Sequence, residues 1–214
     1  MNQRPSIRPL GDSAMTITFG DTITEELADL VVAQSRRISG AGIRGVTDIV
    51  SSYASIGVHY DPDAIAYDEL QARLAPLLED PSVNTDDAGS RVHHIRVRYD
   101  GEDLDEVARR TQLTTAEVVS IHIAALYRVF VIGFVPGFAY LGPLDARLAL
   151  PRRDSPRKRV PPGSVAIAER QTGIYPSATP GGWHIIGSTT ERMFDPSRLE
   201  PSLLSVGDRV KFES

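Results

Sequence analysis

From Gly133 to Thr189 the chain places a glycine or a proline every few residues, and that punctuation leaves no room for a long helix or a long regular strand. A segment built only to pack would repeat its apolar residues at period 2 or 3.6. Here the backbone is fixed at many turns instead, which predicts a shaped surface carried on short strands. Phe134, Phe138, Tyr140, Tyr175 and Trp183 sit beside those turns, and Arg152, Arg153, Arg157, Lys158 and Arg159 lie between them. Aromatic walls with a few placed cations suit a pocket for a small anionic molecule.

The rest of the chain reads more regularly. Residues 14–19 alternate as a half-buried strand with Met15, Ile17 and Phe19 on one face. Thr22 and Glu25 have capping-box spacing, and Ile23, Leu27, Leu30 and Val31 then form a helical stripe that Gly40 and Gly42 end. Strands are expected at 46–53 and 55–60, and Asp61-Pro62-Asp63 opens a second helix carrying Tyr67, Leu70, Leu74, Leu77 and Leu78. Residues 82–90 read as a linker, followed by a strand at 92–99. Two helices come next, the second capped by Thr114 and Glu117, and then an apolar strand at 127–132. Beyond it only short strands are expected, at 164–168, 184–188 and 207–212, a barrel-like pattern. The 214 residues suffice for two small domains with separate cores, placed at 1–90 and 91–214. The first is expected to be α+β and split-βαβ-like, the second mainly β.

Charge sharpens the division. Residues 1–90 hold 6 Lys+Arg against 14 Asp+Glu, and residues 91–214 hold 17 against 14. The acidic total, −5, argues against a nucleic-acid partner, which calls for a broad basic face. There is no cysteine, so disulfides, thiolate metal sites and a cysteine nucleophile are excluded. No leader pattern and no apolar run of spanning length is present, so a cytoplasmic protein without a membrane partner is expected.

The motifs Gly133-Phe134-Val135-Pro136-Gly137-Phe138-Ala139-Tyr140-Leu141, Pro151-Arg152-Arg153, Pro156-Arg157, Val160-Pro161-Pro162-Gly163-Ser164-Val165, Gln171-Thr172-Gly173-Ile174-Tyr175-Pro176 and Pro180-Gly181-Gly182-Trp183 follow one another in order. Together they resemble the carboxyltransferase C/D-domain family, strongly from about His122 to Phe212 and weakly before residue 90. Family members include B-type subunits of ATP-dependent 5-oxoprolinase, an inhibitor of a sporulation histidine kinase, and proteins labelled allophanate hydrolase subunit 1. The resemblance implies an N-terminal α+β domain and a C-terminal cyclophilin-like β-barrel. It also implies a partner, a C-type subunit of related fold, with an A-type subunit as a further candidate. The implied reaction is ATP-dependent opening of 5-oxo-L-proline to L-glutamate by the complex, the chain being inactive alone, with the ATP-binding subunit left open. Two alternatives come with the family: a regulator docked on a sensor kinase, and a urea-carboxylase-like acyl transfer. Pro162, Glu169 and Ser188 depart from the family pattern, which has Ala, Gly and Arg there; the last two changes make the surroundings less cationic.

Residue by residue, Tyr140, Arg157 and His184 are the catalytic candidates, as proton donor, anion clamp and general base. Phe134, Pro136, Gly137, Phe138, Arg153, Gln171, Thr172, Tyr175 and Trp183 are the substrate-binding candidates. The amide, hydroxyl and phenol of Gln171, Thr172 and Tyr175 match what a lactam needs, although turn capping and core packing explain them equally well. The five histidines lack zinc-ligand spacing, so no metal site is expected. No GxxxxGK[ST] loop occurs, and no G-x-S-x-G elbow surrounds Ser164. His122 ends a helix, where its charge would be favoured.

Overall fold

The computed structural model describes residues 5–79 and 90–214. The chain is a mixed α/β protein that divides into two compact units, Met1–Ala88 and Gly89–Ser214. The linker expected at 82–90 falls, Ser90 apart, outside the described residues.

In the first unit, β1 (Ser6–Pro9), β2 (Ala14–Thr18), β3 (Val46–Ser52) and β4 (Ser55–Tyr60) form one sheet in the order β1-β2-β4-β3. β2 and β3 both run antiparallel to β4, so they lie parallel to each other across it. Period-2 alternation aims Met15, Ile17, Ile56, Val58 and Tyr60 at one core, where they meet Val31 and Ile38 of α1 (Glu25–Gly40) and Leu70, Leu74 and Leu78 of α2 (Tyr67–Leu78). Both helices start later than the spacing suggests. Thr24, not Thr22, caps α1 by accepting the Leu27 N–H at 3.2 Å, which leaves Ile23 outside the helix and 61% exposed. Asp61 uses its side chain to close a turn with the Asp63 N–H at 3.0 Å, so α2 waits until Tyr67.

The second unit carries β5 (Val92–Arg96), α3 (Leu104–Thr111), α4 (Thr115–Ala124), β6 (Leu126–Ile132), β7 (Ala139–Gly142), β8 (Arg157–Val160), β9 (Ser164–Ala168), β10 (Gln171–Ile174), β11 (Thr179–Gly181), β12 (His184–Ser188) and β13 (Arg209–Glu213). Thr114 and Glu117 form the expected capping box on α4. Seven strands make one sheet in the order β12-β9-β10-β7-β6-β13-β5, and β8 pairs with β11 apart from it.

The outer strands of the seven are joined by the chain that follows β5. Arg98 and Ser188 exchange backbone hydrogen bonds of 2.8 Å, and Gly101 and Asp103 donate to the carbonyls of Ile186 and Ile185 at 3.2 and 2.9 Å. The sheet therefore curls until its far edges meet. Its interior is filled by Tyr127, Val129, Leu141, Ile186, Val210 and Phe212, with Val107 and Val118 packed in from the helices. β9 is buried along all five residues because it serves two cores. Val165 and Ile167 face that interior, while Ala166 and Ala168 face a second cluster with Phe138, Val160, Tyr175, Trp183 and Ile185.

Candidate functional site

The second cluster gathers the aromatic candidates. Phe138 is its hub, with ring centroids 4.9 Å from Tyr140, 5.2 Å from Tyr175, 5.4 Å from Trp183 and 5.7 Å from Phe134, all edge-to-face. Tyr140 and Trp183 lie 5.8 Å apart. The loop between β6 and β7 sets this arrangement: Gly133 donates to the Phe138 carbonyl at 3.0 Å, and Phe138 to that of Val135 at 3.0 Å. Gly137 adopts φ +82°, and a Cβ there would lie 2.6 Å from that of Phe194. Phe134 holds φ +72° without the freedom of a glycine and is 60% exposed, so the fold keeps a strained, solvent-facing phenylalanine at the rim.

The arginines divide into two kinds. Arg153 and Arg157 both donate to one oxygen of Asp103, at 2.6 and 2.7 Å, while its other oxygen accepts the Ile185 N–H at 2.7 Å. Arg157 also meets Glu102 at 2.7 Å. Asp103 is only 3% exposed, so this is a buried carboxylate compensated by two guanidinium groups and an amide. Burial opposes the Arg157 charge, but Asp103 and Glu102 outweigh it and raise its pKa. Nε of Arg153 and Nη1 of Arg157 are buried without a partner. Arg152, Lys158 and Arg159 are exposed.

Two phenols point into the same neighbourhood. Burial raises the pKa of half-buried Tyr140 and of buried Tyr175, so both stay protonated at neutral pH. The backbone N–H of Trp183, bonded to Tyr175, pulls that phenol back in part, and the Arg152 charge pulls back both. Gln171 begins β10, opposite Ala168, and is half-buried.

Thr172 and His184 are placed elsewhere than the sequence suggests. Thr172 is wholly buried: its hydroxyl donates to the Ala166 carbonyl at 3.2 Å and accepts from His122 Nε2 at 2.8 Å. Tyr99 then donates to His122 Nδ1 at 2.7 Å, which closes a consistent proton order for the neutral imidazole. Burial drives the His122 pKa down to about 3, overruling the helix-end effect that would favour its charge. His184 is also wholly buried. A carbonyl can only accept, so its Nε2–H donates to Pro151 at 2.9 Å, and Nδ1 lies buried without a partner. Its flanking residues Trp183 and Ile185 belong to the aromatic cluster, so strand alternation turns the imidazole to the opposite face.

Pro136 lines a different feature, an open groove of about 810 Å³ shared with Pro162, Pro176, Thr189, Arg192 and Phe194. Among the described residues, no group of three His, Asp or Glu side chains stands close enough to hold a metal ion. No described helix is long and apolar enough to cross a membrane. Sequence reasoning missed Asp103, which sits 50 and 54 residues from its two arginines and carries no local signal. It also passed over Arg152 in favour of its neighbours.

The family model of the carboxyltransferase domain, subdomain C and D, matches residues 5–204. A Bacillus subtilis protein named as the B-type subunit of 5-oxoprolinase is 41% identical over 99% of this chain and 93% of its own length. The crystal structure of TTHA0988 superposes with a TM-score of 0.84 at 38% identity, over 97% of this chain but 40% of that one. The chain thus spans about two fifths of that solved protein. Urea carboxylase of Kluyveromyces lactis shares the fold at 18% identity, with a TM-score of 0.76 over 98% of this chain and 21% of that one.

Proposed function

Because the chain belongs to the carboxyltransferase subdomain C and D family, we propose that it is the B-type subunit of a 5-oxoprolinase, opening 5-oxo-L-proline to L-glutamate together with partner subunits. The observation that carries this reading is the rim of the aromatic cluster: exposed Phe134 and half-buried Tyr140, backed edge-to-face by buried Phe138 and Trp183, with a protonated phenol and an exposed guanidinium beside them. Flat apolar walls hold a small ring, a phenolic O–H suits a lactam carbonyl, and a cation suits its carboxylate. The relatives named as B-type subunits of 5-oxoprolinase support the same reading.

In this reading Met1–Ala88 is a split-βαβ domain and Gly89–Ser214 a cyclophilin-like barrel that carries the site. Tyr140 donates to the lactam carbonyl, and Phe134 closes over the ring from the strained loop. Arg157, anchored by Asp103 and Glu102, lends its charge to the Tyr175 end of the face. His184 and Thr172 support the fold rather than touch substrate.

ATP is a substrate of the assembled enzyme. Among the described residues Arg153 and Arg157 are committed to Asp103, Arg147 to Asp145 and Arg192 to Asp195, while Arg152, Lys158 and Arg159 stand exposed. The nucleotide is assigned to the complex as a whole, whose partners are a C-type subunit of related fold and an A-type subunit. The complex is placed in the cytoplasm, where ATP is available.

The test is ADP release on adding 5-oxo-L-proline and ATP to this chain alone and to its mixture with candidate A- and C-type subunits. Lactam-dependent turnover is expected only in the mixture, and Tyr140→Phe lowers kcat there about 10²-fold or more. A folded complex that shows no lactam-dependent ADP release, or a biotin-dependent one, overturns the assignment.

A further inference from the structure

The open groove that Pro136 lines lies wholly within the second unit. Two stretches of chain flank it, residues 176–178 and residues 189–192 with Phe194, and Pro136, Pro162 and Pro196 supply more of its surface. Gly163 straps one flank to the other: it donates to the Tyr175 carbonyl at 2.7 Å and accepts from the Thr189 N–H at 2.9 Å. With φ +80° and no room for a Cβ beside the Thr189 carbonyl, that position calls for glycine. The groove is therefore a fixed feature of the fold.

Its lining gives a small anion little to hold. Arg192 is the cation among the lining residues, and Asp195 matches it at 3.1 Å. The Thr189 hydroxyl already accepts the Glu191 N–H at 3.2 Å. What stays open is main chain and one carboxylate. Among the described residues the amides of Ser177, Ala178, Thr190 and Arg192 make no hydrogen bond, and the Glu191 carboxylate has no ion pair. Proline and phenylalanine surface with unpaired main-chain donors on both flanks fits an extended polypeptide, whose carbonyls take the donors while its apolar side chains cover the prolines. A basic side chain on that polypeptide complements Glu191.

The groove also adjoins the proposed site. Pro136 belongs to the loop that presents Phe134, and Gly137 of the same loop packs against Phe194. Relatives of this chain are named as subunits of an assembly. In TTHA0988 the matched fold fills 40% of the chain, so there it is joined to a stretch of polypeptide longer than itself. We propose that the groove seats the partner subunit, taking an extended, apolar segment that carries a basic residue opposite Glu191. The inference rests on the reading of this chain as a subunit and deepens it, because it says where the partner is held. A segment seated against Pro136 fixes the loop that carries Phe134, so docking and completion of the site are coupled.

The test is calorimetric titration of this chain with the candidate C-type subunit. Ala178→Lys puts a charge into the groove and is expected to raise Kd at least tenfold. Glu191→Lys should raise it about three- to tenfold and reduce its dependence on salt. Leu126→Lys, at an exposed position of β6 outside the lining, should leave it within about twofold. Ala178, Glu191 and Leu126 are all exposed, so circular dichroism of each variant should match wild type. Short-time deuterium labelling needs no variant: the amides of Ser177, Ala178, Thr190 and Arg192 should gain protection in the complex. An unchanged Kd in Ala178→Lys, or protection confined to other segments, overturns the proposal.

Turnover separates this outcome from the lactam reading. Lactam-dependent ADP release that Ala178→Lys loses at limiting partner and regains with excess partner supports the docking seat. The same turnover with Ala178→Lys indistinguishable from wild type at limiting partner removes the seat and leaves the lactam reading standing. A wild-type complex that forms, responds to Ala178→Lys in Kd and still shows no lactam-dependent turnover removes the lactam reading and keeps the seat.

Discussion

Asp103 shows why the arginine motif could be seen in the sequence while its meaning could not. The Pro-Arg-Arg and Pro-Arg spacing marks Arg153 and Arg157 as special, but what they bond is fixed by one carboxylate about fifty positions upstream. No periodicity or local pattern carries that pairing. Its energetic sense is clear from burial: a carboxylate 3% exposed between two guanidinium groups leaves Arg153 and Arg157 only the more exposed Glu106 and Glu102 when its charge is removed. Asp103→Asn preserves an acceptor for the Ile185 N–H and removes only the charge. Breaking such a pair from one side costs about 3–5 kcal/mol, discounted here because the Arg153 and Arg157 side chains remain 27% and 17% exposed. A loss of about 2–3 kcal/mol in urea denaturation is therefore expected. A change below about 0.5 kcal/mol would mean that the arginines do not depend on Asp103 for their placement.

At the scale of elements, legibility followed length. Strands of five residues or more, such as β2 and β4 with their alternation and β6 with its apolar run, can be read directly, and so can the Thr114 capping box. The four- and three-residue strands β7, β8, β10 and β11 cannot, because so few residues contain no period. α1 illustrates another limit: Thr22 and Thr24 lie two residues apart, both are capping residue types, and Thr24 is the one that caps. The junction that joins the sheet's edges was also hidden, since the strand expected over 92–99 ends at Arg96, and from Arg98 to Asp103 the chain bonds to β12 through isolated contacts rather than a ladder. Glycine makes that approach possible. A Cβ on Gly101 would collide with the Ile185 carbonyl, and one on Gly187 would lie 2.6 Å from the Arg98 carbonyl. Gly101→Ala is expected to destabilise by about 1–3 kcal/mol through forced backbone movement. Hydrogen exchange should locate the loss, with faster exchange of the Arg98, Gly101 and Ser188 amides than of those in β9 and β10. Unchanged protection at these three amides would show that the junction tolerates a side chain.

For the whole molecule, the buried relay of Tyr99, His122 and Thr172 ties stability to pH. His122 packs against Tyr127 and Phe212 as well, at centroid distances of 5.3 and 4.6 Å, so its environment is the interior of the curled sheet itself. Its pKa is near 3 in the fold against an ordinary 6.5. Below 6.5 the unfolded chain therefore binds a proton that the folded one refuses, and falling pH favours unfolding. Stability is lost from about pH 6.5 downward, by about 1 kcal/mol per pH unit, and this contribution stops changing near pH 3. The depressed carboxylates Glu117, Asp145 and Asp195 have the same sign but act later: what they contribute is fully present above the usual carboxylate range and disappears as pH falls through their lowered values. The interval from about pH 6.5 to 4.5 is thus where His122 acts apart from them. His122→Gln offers an N–H to Thr172 and a carbonyl to Tyr99 without a titrating proton, so it should flatten that interval even if it lowers stability at pH 8. Urea unfolding followed through Trp183 from pH 8 to 4.5 measures both slopes. Equal slopes for wild type and variant would show that the imidazole takes up its proton inside the fold.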